Sequence, residues 1–197
     1  MATALAFGAA WPAWAEDLCA DLTLPDELHL ACRPAADAPA GTVAVAPTDG
    51  AFASLSRMTL RPLDRTGDDA QAWTDPPAWL RQQVTFDTTG LAESLAGLAH
   101  DPDSPFSGSA ARTALGHLQS ALAGMATLPL SGCEPPTSDA SHQQWSMHCT
   151  YGAAGLGVFV DLRLIAHGER RWAIAMRTAN EQRRRHFLAI AGSFQPS

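Results

Sequence analysis

Lysine is absent from this sequence, and all 13 basic residues are arginine. That excludes Schiff-base catalysis and the lysine of a phosphate-binding P-loop. Twenty acidic residues bring the formal net charge to −7. The chain therefore lacks the basic field that a phosphate backbone demands, and no nucleic-acid partner is expected. No apolar run reaches the length of a membrane span. The nucleophile-elbow pattern G-x-S-x-G does not occur, and no two cysteines form a C-x-x-C pair.

What is there points to one ordinary globular domain. The 197 residues are 46% hydrophobic and 17% charged, enough to bury a core and too apolar for a disordered chain. Charge is unevenly spread. Residues 1–105 carry 15 acidic groups and 5 arginines, a balance of −10. Residues 106–197 carry 5 acidic groups and 8 arginines, a balance of +3. The simplest use of that imbalance is solubility.

Residues 1–15 read as an export signal. Ala2 to Ala10 are small or apolar, Ala13-Trp14-Ala15 fits a small-x-small cleavage site, and Glu16-Asp17 follow. No basic residue precedes the apolar stretch, and the competing reading is an N-terminal helix of the fold. Residues 16–197 then form a single domain. The four cysteines agree with export, since an even count in an exported chain favours disulfides. Three pairings are open. The favoured one is Cys19–Cys32 with Cys133–Cys149, each joining segments expected to lie side by side as strands. Each closed loop is worth about 3 kcal/mol in the chain-entropy model.

Asp21–Cys32, Thr42–Ala46 and Phe52–Leu63 read as strands, and residues 64–74 as a polar connection. Asp75 caps a helix with Pro76 at its first position. Further helices are expected after Thr89 (Leu91, Leu95, Leu98) and near Ser109 (Ala111, Leu115, Leu118, Leu122, Met125). Gln143–Tyr151, Leu156–Ala166 and Arg171–Thr178 are three strand-like runs with short connections, so they form an antiparallel meander. Val158, Val160, Leu162 and Leu164 share one face of the middle run; Phe159, Asp161, Arg163 and Ile165 share the other. Thr178 to Glu181 has capping-box spacing, and Phe187, Ile190 and Phe194 line one face of a closing helix. The expected fold class is α+β: an antiparallel β-meander sheet covered by helices, α/β/α sandwich-like and disulfide-stapled.

The ending Arg171-Trp172-Ala173-Ile174-Ala175-Met176, followed by a helix from Glu181 to Ser193-Phe194, resembles the PsbP-like and DcrB-like α/β/α sandwich proteins. The resemblance spans roughly residues 52–195 and is sharpest over 156–195. It implies an exported or lipid-anchored protein that acts as an accessory or binding module, with no family catalytic set to carry over.

Four groups of residues are candidates for chemistry. Cys133, His142, His148 and Cys149 lie within seventeen residues, but His148 and Cys149 are neighbours on a strand and point to opposite faces. A disulfide is the better use of the cysteines, and no metal site is expected. His100-Asp101-Pro102-Asp103 lacks the third oxygen ligand and the glycine of a calcium loop. Arg183, Arg184 and Arg185 form the single basic run, a candidate contact for an anionic partner. Trp73 is the candidate exposed aromatic contact, whereas Trp79, Trp145 and Trp172 sit on apolar stripes. No catalytic residues and no cofactor are assigned.

The expected function is that of a periplasmic or secreted non-enzymatic accessory or binding protein with an envelope protein as partner. The alternative is a small envelope hydrolase whose Ser-His-Asp geometry only the fold would assemble. If both disulfides form, the intact mass lies four hydrogens below the fully reduced mass by mass spectrometry, with no free thiol in the native protein.

Overall fold

Alternating apolar residues need two different surfaces to cover them, and the chain builds one on each side of a sheet. The computed structural model describes residues 13–48, 56–87, 113, 116–117, 127–129, 132–153 and 156–196. Its elements are α1 (Ala13–Ala20), β1 (Leu30–Pro34), β2 (Val43–Pro47), β3 (Arg57–Pro62), α2 (Ala70–Thr74), α3 (Pro76–Gln82), β4 (Thr85–Asp87), β5 (Thr127–Pro129), β6 (Thr137–Ser138), β7 (Gln144–Ala153), β8 (Leu156–His167), β9 (Arg170–Thr178) and α4 (Glu181–Ser193). Seven strands form one antiparallel sheet in the order β1-β2-β3-β9-β8-β7-β6, and β4 pairs with β5 separately.

The α1 and α4 helices cover one face. Leu18 and Leu22 join Phe187, Ile190, Ala191 and Phe194 over Val45, Met58, Leu60, Ile174 and Met176. The other face carries α2 and α3. There Ala72, Trp79 and Leu80 pack over Val158, Val160, Leu162 and Leu164. The protein is thus α+β with helices on both faces of an antiparallel sheet. Both disulfides form, Cys19–Cys32 and Cys133–Cys149.

Several local expectations are corrected. Asp21–Cys32 is not one strand. Leu18 and Leu22 lie one helical turn apart and belong to the α1 end, Asp26–Leu28 form a 3-10 turn after Pro25, and the strand starts at Leu30. Cys19 therefore lies on a helix, and its bridge ties α1 to β1 rather than strand to strand. Residues 64–74 hold a second 3-10 turn, Gly67–Asp69, and then α2. The closing helix is capped by Asn180, whose side chain accepts from the Arg183 N–H at 2.9 Å. The Thr178 hydroxyl pairs with Ser56 at 2.8 Å and accepts from the Asn180 N–H at 3.1 Å. The helices expected after Thr89 and near Ser109 lie outside the described residues, apart from helical backbone at Thr113, Gly116 and His117. The α1 helix begins at Ala13 and so includes the expected cleavage triplet.

Other expectations hold closely. Asp75 accepts from the Ala78 N–H at 3.1 Å with Pro76 opening α3. The meander strands lie within two residues of the expected runs, and β8 turns into β9 through Gly168 at φ 57°. Phe187, Ile190 and Phe194 are all buried. Phe187→Ala removes the largest fully buried side chain and is expected to cost about 3–5 kcal/mol in urea unfolding.

Candidate functional site

Strand register assembles the first site. In the β7–β8 ladder His148 lies opposite Asp161, Ser146 opposite Arg163 and Thr150 opposite Phe159. All of them share the face covered by α4. A carboxylate there is taken out of water and needs partners. Asp161 is 6% exposed. Its Oδ2 accepts from Arg184 Nε at 2.7 Å, and its Oδ1 from Arg184 Nη2 at 2.9 Å. Nδ1 of His148 stands 2.9 Å from the same Oδ1. Two donors converge on one oxygen, which brings Nη2 of Arg184 to 3.1 Å from His148 Nδ1. The Arg184 guanidinium also lies 5.4 Å over the Phe159 ring and 3.5 Å from Glu181. Asp161 holds the Arg184 pKa above the ordinary arginine value.

A cleft of about 190 Å³ opens beside this cluster, walled by Glu134, Thr137, Ser146, His148, Arg163 and Arg184. Its outer wall is placed by the Cys133–Cys149 bridge. Cys133 faces Cys149 across an isolated antiparallel bridge, Glu134 N–H donates to the His148 carbonyl at 2.8 Å, and Thr150 N–H donates to the Gly132 carbonyl at 3.1 Å. The cysteines are thus a close, non-hydrogen-bonded pair, with Cα atoms 4.0 Å apart. A Cβ at Gly132 would stand 2.8 Å from Thr150 Oγ1 and 2.9 Å from its carbonyl oxygen, so only glycine fits there. Ser146 and Thr137 hydroxyls pair with each other at 3.1 Å. Among the described residues no hydroxyl hydrogen-bonds the His148 ring.

The second site surrounds Trp73. Arg61 grips Asp69 with both ends of its fork, at 2.6 and 2.7 Å, and folds the 63–69 segment back on β3. That brings the Asp64 carbonyl to the Trp73 indole N–H at 2.8 Å. Arg65 and Arg171 stand 4.8 and 5.0 Å from the ring centroid, and Arg171 also donates to the Ala72 carbonyl. Trp73 is half-buried and lines a cleft of about 480 Å³ rimmed by Asp17, Asp21, Arg65 and Glu169. No protein-family model matches the chain, and no curated protein matches it.

The side chains of the basic run lie in different surroundings. Successive residues on a helix point about 100° apart. Arg184 turns inward to Asp161, Arg183 is half-buried, and Arg185 is 76% exposed with Glu181 at 3.4 Å. The zinc-like residues are also separated. Cys133 is bonded to buried Cys149, His142 bonds Ser138 at 2.9 Å and stacks on Trp145, and His148 sits on the opposite face from Cys149. Sequence reasoning placed Asp161 and Arg163 on one strand face but gave them no role. The signal was present, because two charged residues interrupt an otherwise apolar run.

Asp69 links this geometry to pH. The Arg61 guanidinium holds its carboxyl below the ordinary value of 3.8, against the opposing effect of burial. A depressed carboxylate stabilises the fold above its unfolded pKa and loses that contribution as pH falls through the folded value. Asp69→Asn is therefore expected to lower stability at neutral pH and to flatten the loss of stability below about pH 4, read from urea midpoints across pH.

Proposed function

We propose that this is an exported protein, periplasmic or secreted, that works as a non-enzymatic accessory or binding module. The carrying observation is that its most catalytic-looking cluster is closed on itself. Both oxygens of Asp161 are taken by Arg184 and one is shared with His148, while the nearby Ser146 hydroxyl is paired with Thr137. A hydrolytic triad needs a nucleophile on the histidine. Two disulfides support an oxidising compartment, and no helix among the described residues is long and apolar enough to cross a membrane. The resemblance to PsbP-like and DcrB-like proteins supports the same reading. The Trp73 cleft offers the larger contact surface, with an aromatic ring and charges of both signs.

One observation favours the hydrolase reading: with Asp161 on Nδ1 of His148, Nε2 has no partner among the described residues. A serine-reactive fluorophosphonate separates the two readings. No labelling is expected. Stoichiometric labelling of Ser146 overturns the binding reading. In parallel, affinity capture from the envelope fraction is expected to yield one stoichiometric companion. Its yield should fall about tenfold with Arg65→Glu, an exposed change at the cleft rim.

A further inference from the structure

Arg163 is the charged group that the closed network leaves over. It stands on β8 two residues from Asp161, on the same face, opposite Ser146. Its side chain reaches beneath α4, with Nη1 4.0 Å from where a Cβ at Gly192 would sit. It is half-buried, and among the described residues its guanidinium has no hydrogen-bond or ion-pair partner. Burial draws its pKa down from the ordinary arginine value, and only the more distant charge of Asp161 opposes that. Asp161 cannot serve it directly, because Arg184 and His148 already occupy both oxygens.

The 190 Å³ cleft lies against this group. Arg163, His148, Ser146 and Thr137 all line it. The two hydroxyls spend one proton on each other, so one O–H stays free to donate. We infer that the cleft beneath α4 is an oxyanion-binding site, in which Arg163 holds the carboxylate or phosphate group of a small ligand, the Ser146–Thr137 pair adds a donor, and His148 adds an Nε2–H when its ring is the imidazolium. A planar guanidinium fork matches either group. The space equals about six water volumes, room for an acid group. Glu134 on the outer wall opposes the anion, and it is exposed with no ion pair among the described residues, so it tunes affinity. Glu181 does not compete for Arg163, because it is held by Arg184 and Arg185. The inference does not rest on export or on the Trp73 cleft.

The test is an NMR titration of the full ¹⁵N-labelled chain with inorganic phosphate and, separately, with acetate, in chloride-free buffer. Saturable shifts of the Arg163 side-chain N–H and the His148 ring are expected. A response to phosphate alone assigns a phosphate ligand, to acetate alone a carboxylate, and to both a general oxyanion site. Arg163→Gln is expected to weaken binding about tenfold or more. Glu134→Gln, an exposed change that leaves the fold intact, is expected to tighten it about threefold. The inference is overturned by linear, non-saturating shifts with both anions. It is equally overturned if Glu134→Gln leaves the affinity unchanged, or if folded Arg163→Gln binds as well as the parent chain.

Discussion

The pairing of β3 with β9 is the constraint on which the rest of the structure depends. It zips Arg57–Pro62 antiparallel to Trp172–Arg177 and is the single non-sequential step among the described strands of the sheet. Two local meanders, one from each half of the chain, become one surface through it. Met58, Leu60, Ile174 and Met176 meet at this seam and are buried at 2% exposure or less. Bringing such distant segments together costs loop-closure entropy. What offsets that cost is the apolar stripe of α4, together with Leu18 and Leu22, which can be buried only on a sheet already joined.

Burial on the α4 face also dictates the chemistry there. A sheet face under a helix should be apolar, and most of it is. Near the β7 edge the stripe gives way to Asp161, Arg163, His148 and Ser146. The fold tolerates Asp161 because Arg184, from the first turns of α4, delivers a fork to both of its oxygens. The same contact fixes how α4 sits over the sheet. It is a positional device before it is anything else, and it leaves Arg163 without a partner among the described residues.

The disulfides act at opposite ends of this arrangement. Cys19–Cys32 holds α1 to the edge strand β1, and Cys133–Cys149 holds the 132–134 segment to β7. Both sheet edges are short or interrupted: β6 has two residues and β1 ends at Pro34. Such edges offer little to a foreign strand. The covalent ties supply what so little ladder hydrogen bonding cannot.

Much of the fold was legible in the residues themselves. The alternation along 143–178 located three strands, the short connections made them antiparallel, and Phe187, Ile190 and Phe194 marked the face that α4 buries. Asp75-Pro76 located a helix start, and the expectation of neighbouring segments favoured the two bridges that form, although Cys19 proves to lie on a helix. These are signals carried within one turn, one hairpin or one short loop. The candidate sites were legible only as single residues. Trp73 and Arg184 could be singled out, but nothing in their neighbours showed that Arg65 and Arg171 would flank the indole or that Arg184 would turn inward to Asp161. Thr178 stands too early to cap: its hydroxyl pairs with a serine far along the chain and accepts from the Asn180 N–H, while Asn180 itself accepts from the Arg183 N–H. Local periodicity determined which residues face a core. Which charges share a cleft was decided by strand register and helix docking, because those contacts join residues whose separation along the chain carries no local signal.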